Sequence, residues 1–192
     1  IQGGWKTVIR DLIFTDCETA IELNGENQEM GNLNIENCEF IACRSHGINI
    51  TYKQSYLGII ENCRFFKCQY PIEQHSCDLM VVRNCWFSEH IRTKDYDSSI
   101  ISHGGELQID SCLFVPYPNS NNVAEPCWIE GNSHVVVTKS HFGGENGSKP
   151  IIRAMSTDYR YTIEGCMHSY TALEWCMVLV SGGFQGITVA NC

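Results

Sequence analysis

No stretch of the 192 residues approaches 18 consecutive apolar residues, so nothing in the chain has the length of a membrane-spanning helix. Basic residues are scarce: 13 Lys and Arg stand against 22 Asp and Glu, a formal charge of −9. That balance tells against nucleic acid as a partner, because such binding needs a basic face that displaces counterions. Anionic membrane surfaces are disfavoured for the same reason, and no membrane insertion is expected. A sustained 3.6-residue apolar period is missing, which removes the amphipathic helix as a building unit. The dense leucine grid of leucine-rich repeats is missing too. Twelve cysteines are present, yet no C-x2-C pair has a matching second pair, so no metal site and no cofactor are expected. Apolar residues make up 43% of the chain and charged ones 18%, proportions that fit a folded core rather than disorder.

What the sequence does contain is a repeat. The pattern apolar-x-Asn-Cys-x-Phe reads Ile35-Glu36-Asn37-Cys38-Glu39-Phe40, and returns over residues 60–65 and 82–87. It persists with substitutions over 9–14, 109–114, 137–142 and 163–168, and begins once more at Val189-Ala190-Asn191-Cys192. The Cys-equivalent positions are 12, 38, 63, 85, 112, 140, 166 and 192, separated by 26, 25, 22, 27, 28, 26 and 26 residues. A second cysteine follows five residues on at Cys17, Cys43 and Cys68, with His90 and Tyr117 in its place later. A further short apolar run then follows, as in Gly47-Ile48-Asn49-Ile50 and Pro71-Ile72.

Three short strand-like runs per period, separated by Gly, Asn, Ser or Pro turns, predict an all-β parallel solenoid of about seven turns over residues 1–192. The apolar residue, the Cys and the Phe point inward and form ladders. Phe14, Phe40, Phe65, Phe87, Phe114 and Phe142 are expected to be buried. The Asn marks a tight bend, where it tolerates left-handed backbone angles and its amide reaches the bends above and below. Arg10, Glu36, Glu61, Arg83, Asp110, Thr138 and Glu164 face outward as a solvated row of charge. The cysteines of the ladder read as small buried hydrophobes, reduced in a reducing compartment, with Leu12 and Ser140 in the same slot. Since Cys192 falls in mid-repeat, the solenoid is expected to be open at both ends and to belong to a longer chain.

These features resemble a right-handed parallel β-helix of the pectate-lyase-like type, and most of all a segment of a bacteriophage tailspike or tail appendage. The Asn turn ladder, the apolar and Phe stacks and the irregular loops carry the resemblance across the full chain. It implies a homotrimer on the virion tail, assembled in the host cytoplasm, that binds and degrades bacterial cell-surface polysaccharide. A non-catalytic adhesive module and a pectinase-like polysaccharide lyase are the alternatives. Apolar residues at the outward positions Val8, Ile59, Val81 and Val136 are compatible with side-by-side packing of rods.

In such folds function lives on one strand face and the loops that wall it. The loops swell over residues 90–99, 116–126 and 143–149, on consecutive turns. The neighbouring strand exposes Glu22, Asn49, Glu73, Ile101 or Ser102, Glu130 and Arg153. Glycoside hydrolysis needs two carboxyl groups, one to protonate the leaving oxygen and one to act as nucleophile or base. Glu73, Glu130 and Asp97 are the candidates. Tyr96, Tyr117 and Trp128 offer flat apolar faces to sugar rings, and Arg153 and His103 complete the substrate-binding set. Ser102-His103-Gly104-Gly105 is weakly similar to the Gly-His-Gly of polygalacturonase-like hydrolases, without that family's Asp-Asp pair. His75 and His103 each fall three residues past an inward Ile in neighbouring turns. They form either a proton-transfer or metal pair, or, more economically, two loop histidines.

Overall fold

The structure, a computed structural model, describes residues 6–25, 29–51, 54–75, 77–88, 98–115, 127–143, 151–154, 159–169, 178–180 and 186–192. Among these residues there is no helix. The strands form three parallel sheets of eight, seven and seven members, and the chain visits the three in a fixed rotation. The eight-stranded first sheet begins with Lys6–Arg10, the second with Ile13–Thr15 and the third with Thr19–Leu23. Every strand pair is parallel to its neighbour one coil away, so the architecture is a parallel β-solenoid.

The corner between the first and second sheets explains the repeat. Asp11, Asn37, Asn62, Asn84, Ser111, Lys139 and Asn191 all have φ between 47° and 56°, and Gly165 occupies the same slot at 61°. A single left-handed residue therefore turns the chain, which is why Asn, Asp and Gly dominate there. Its N–H donates to the next coil, as in Asn37 N to Glu61 O and Asn62 N to Arg83 O, both 3.1 Å. The N–H two residues later donates to the previous coil, as in Arg64 N to Cys38 O at 2.9 Å. Each bend is thus hydrogen-bonded on both sides, as buried backbone must be. Asn37 Nδ2 also donates to Asp11 Oδ1 at 3.2 Å, but what the eight positions share is backbone geometry.

The cysteine after each bend is more than a small hydrophobe. Its thiol donates back to the carbonyl two residues earlier: Cys63 to Glu61 O at 3.3 Å, Cys85 to Arg83 O at 3.3 Å and Cys112 to Asp110 O at 3.4 Å. Ser140 makes the same bond to Thr138 O at 2.9 Å, so after Leu12 the slot holds a short side chain with a hydrogen to give. Eleven cysteines are described; all are free thiols, and nine of them are buried. Burial pushes the thiol of Cys166 up to about 11, which keeps it protonated and unreactive.

The phenylalanines stack as the spacing predicts. Ring centroids from Phe14 through Phe40, Phe65, Phe87 and Phe114 to Phe142 are 4.6–5.1 Å apart with nearly parallel planes. All but one are fully buried; Phe14, in the first described coil, is half-buried. Leu12 and Cys192, the end members of their ladder, are exposed. The charged row is also in register: Arg10, Glu36, Glu61, Arg83, Asp110, Thr138 and Glu164 lie on one line of the first sheet. Within it Arg83 pairs with Glu61 at 2.7 Å.

The left-handed bend makes a sharp prediction. Asn62→Gly should change stability by only a few tenths of a kcal/mol, whereas Asn62→Val should cost about 1–2 kcal/mol because a β-branched residue opposes positive φ. Urea titration of the two variants checks this, and equal midpoints would contradict it. Phe65→Ala, which breaks the stack in its middle, should cost about 3–5 kcal/mol by the same measurement.

Candidate functional site on the third sheet

The third sheet carries the outward row read from the sequence. Glu22, Asn49, Glu73, Ile101, Glu130 and Arg153 occupy successive rungs, with Leu179 after them. Ile101, not Ser102, belongs to this line; Ser102 points inward beside Gln74. Strand alternation explains the placement: in Tyr70–Gln74, Ile72 and Gln74 are buried while Glu73 faces out. The row becomes progressively covered, from the exposed Glu22, through half-buried Glu73, to Glu130 at 8% and Arg153 at 2% exposure.

Glu73 gathers three imidazoles. His46 Nε2 lies 2.7 Å from its Oε2, while His103 Nε2 and His75 Nε2 lie 2.8 and 3.2 Å from its Oε1. A carboxylate only accepts, so the imidazole nitrogens donate. His46 is fixed from its other side by Ser45 Oγ, 2.8 Å from Nδ1, and its ring packs on Tyr70 with centroids 5.2 Å apart. The His75 and His103 rings stack at 4.3 Å. Their positions follow from the corner after the third sheet, where His75 N donates to Ile50 O and His103 N to Gln74 O, one coil apart.

An inward network pins that corner. Buried Gln74 donates through Nε2 to Ser102 Oγ and to Gly104 O, both at 2.5 Å, and accepts from Cys77 N at 2.8 Å. Ser102 Oγ reaches Ser133 Oγ at 3.1 Å on the following coil. Gly105 turns the chain at φ 76°, and a Cβ there would sit 1.5 Å from Cys77 O, so glycine is obligatory. The two histidines therefore stand on a rigid frame.

Electrostatics sorts Glu73, His103 and His75. Hydrogen bonds from His103 and His46 hold the Glu73 carboxyl well below the usual carboxylate range. The bond to Glu73 raises His103, while burial and the neighbouring His103 charge lower His75. Glu73 is accordingly a fixed anion, suited to a stabilising or ligating role and poorly to giving or taking a proton. Glu130 accepts a hydrogen bond from the buried Arg153 guanidinium. Both acids line a cavity of about 290 Å³, together with His46, Tyr70, Ile101 and His103. Glu73, His75 and His103 also bring one ligand atom each to within 4.8 Å of one another, a set able to hold a metal ion that cysteine spacing did not foretell.

Of the residues picked out from sequence, the structure brings Glu73, Glu130 and His103 to one cavity, with Arg153 beneath Glu130. Trp128 is a correction. Its ring is fully buried, 5.7 Å from Phe114 and 6.2 Å from Phe142, and offers no face to a sugar. It occupies the inward corner slot held by Pro71, Ser99 and Ile151 in neighbouring coils. Asp97, Tyr96 and Tyr117 lie outside the described residues. His46 was missed, because its partner Glu73 stands 27 residues away and the ruler pattern does not include it.

The Glu73–His103 pair has a pH signature. A depressed carboxyl contributes stability above its unfolded value, about 4.3, and loses it as pH falls through and below that point. A raised imidazole contributes below its unfolded value, about 6.5, and loses it as pH rises through the folded value. A double-mutant cycle with Glu73→Gln and His103→Ala, in chelator-containing buffer, should therefore show coupling of ~1 kcal/mol between about pH 4.5 and 6.5. It should shrink at pH 3 and at pH 9. Flat coupling across that range would contradict the assignment.

Comparison with known proteins agrees with this architecture: a family model described as the right handed beta helix region matches residues 1–192, the whole chain. No curated protein and no solved structure matches it.

Proposed function

Because the chain belongs to the right-handed β-helix family, we propose that its third sheet engages an extended polysaccharide, and that the protein is a phage tailspike or tail-appendage β-helix acting on bacterial surface polymer. One observation carries the reading: Glu73 and Glu130 stand on the same outward row, two rungs apart, and line one cavity. At ~4.8 Å per rung their backbone positions are about 9.6 Å apart, a span over which two carboxyl groups can face one sugar linkage from either side, as glycoside hydrolysis requires. Glu73, held as an anion, takes the carboxylate side of that pair and not the acid side. Glu130 then stands at the leaving-group side. A polymer running along the rod would pass over both, with Ile101 on the rung between them and Tyr70 on the strand of Glu73 supplying apolar contact.

The adhesive alternative is favoured by one feature, the occupation of the Glu130 carboxylate by the buried Arg153 guanidinium. Fixed ion pairs orient a bound sugar without moving protons. Reducing-end release from host envelope polymer separates the two readings. Wild-type protein should release ends, and Glu73→Gln and Glu130→Gln should each slow release about 100-fold or more while polymer binding persists. Equal rates in a variant remove that acid from the mechanism; binding without any release by the wild type leaves the adhesive reading.

The trimer is the second element of the proposal. Val8, Ile59, Val81 and Val136 fall on one outward line of the first sheet, interrupted by Asn34 and Gln108, and Val8 is 44% exposed. Packing of three rods would cover that line. Light scattering should return three times the chain mass, and monomer mass would count against it.

A further inference from the structure

We propose that Glu73, His75 and His103 form a three-ligand site for a divalent transition-metal ion of the zinc class, with its open coordination positions toward the cavity. Each of the three supplies one ligand atom: Glu73 Oε1, His75 Nε2 and His103 Nε2. Zinc bound by nitrogen and oxygen at 2.0–2.2 Å holds its ligand atoms about 3.3–3.5 Å from one another. The two nitrogen-to-oxygen separations are 3.2 and 2.8 Å and all three ligand atoms lie within 4.8 Å of one another, so side-chain adjustment alone brings them to an ion.

Three features set this cluster apart from an ordinary surface hydrogen-bond group. First, two imidazoles stacked at 4.3 Å aim the same nitrogen at the same carboxylate oxygen, so three ligand atoms converge as a tripod for a cation. Second, the remaining carboxylate oxygen is held by His46 at 2.7 Å, and His46 is itself oriented by Ser45. Such an outer hydrogen bond fixes a ligating carboxylate and is characteristic of metal centres. Third, the arrangement is local and not a by-product of the repeat. The same corner position carries Thr51, His75, His103 and Asn132 on successive coils, so among these it holds an imidazole only on Glu73's own coil and on the next.

The donor set selects the metal. Two imidazoles and one carboxylate suit zinc, cobalt, nickel or iron(II) and disfavour calcium, which takes oxygen ligands alone. Three protein ligands are one short of a closed tetrahedron, the pattern of sites that bind a further small ligand. A sugar carboxylate or vicinal hydroxyl pair has the chemistry to fill it, and only this last clause rests on the polysaccharide reading.

Cobalt(II) is the probe, because thiolate ligation gives an intense near-ultraviolet charge-transfer band that a nitrogen–oxygen site lacks. That distinction matters in a protein with twelve cysteines. Metal-stripped wild type should bind one equivalent and develop visible d–d bands without the thiolate band. His75→Ala with His103→Ala, and separately Glu73→Gln, should weaken binding at least 100-fold, and His46→Ala about tenfold, with unchanged far-ultraviolet circular dichroism. His134→Ala, on the first sheet, should bind as wild type. No d–d bands in the wild type, a thiolate-dominated spectrum, or undiminished binding in the double variant would overturn the inference. Cobalt binding without polymer cleavage would sustain the site and remove the enzymatic reading, while cleavage by a protein that binds no cobalt would do the reverse.

Discussion

A left-handed residue at the same corner of every coil governs this molecule. At the corner between the first and second sheets the chain turns on a single residue, with φ from 47° to 61° in all eight instances. The N–H groups around it bond to the coils above and below. A corner of one residue leaves no slack, so successive coils cannot slip in register. Because side chains alternate with period two, a slip of one residue would turn every inward group outward. The thiol or hydroxyl that follows closes the corner by donating to the carbonyl two residues back. Everything else stacks on that register, including the Phe column and the outward charge row.

The third sheet uses the same register for chemistry. A solenoid repeats its inward residues but is free to change its outward ones, so a site arises where a few rungs depart from the pattern. Here the departures are Glu73 with its three histidines, and Glu130 with Arg153. The two acids have opposite surroundings. Glu73 is half-buried and held by imidazoles, two of which can share a cation with it. Glu130 is paired to an arginine at 2% exposure, and removing either partner of a buried pair strands the other charge at a cost of about 3–5 kcal/mol. The first arrangement suits adjustment, the second permanence.

Much of this was legible in the chain itself. The Asn-Cys-x-Phe ruler yields the inward ladders, and counting from it places Glu73, Glu130 and Arg153 on one line, because parallel pairing copies sequence offset into space. The offset between His75 and His103 likewise matches one coil. Less legible were groups set by corners of variable length. Trp128 looks like a surface aromatic beside a long loop, yet it fills an inward corner slot that Pro71, Ser99 and Ile151 fill elsewhere. His46 escapes notice because it reaches across a coil to Glu73 from the start of its strand, and nothing in its local sequence marks that reach. The role of cysteine as a corner donor was hidden as well, since its size alone explains its burial; Ser140 was the clue.

The central claim is that coil register, fixed at the bends, brings residues about one period apart into one site. An imidazole-to-imidazole nuclear Overhauser measurement between His75 and His103 tests it most directly. Rings with centroids 4.3 Å apart should give a clear cross-peak, accompanied by one between the Phe65 and Phe87 rings at 4.9 Å. Cross-peaks confined to residues close in sequence, with neither of these contacts, would contradict the register and with it the site.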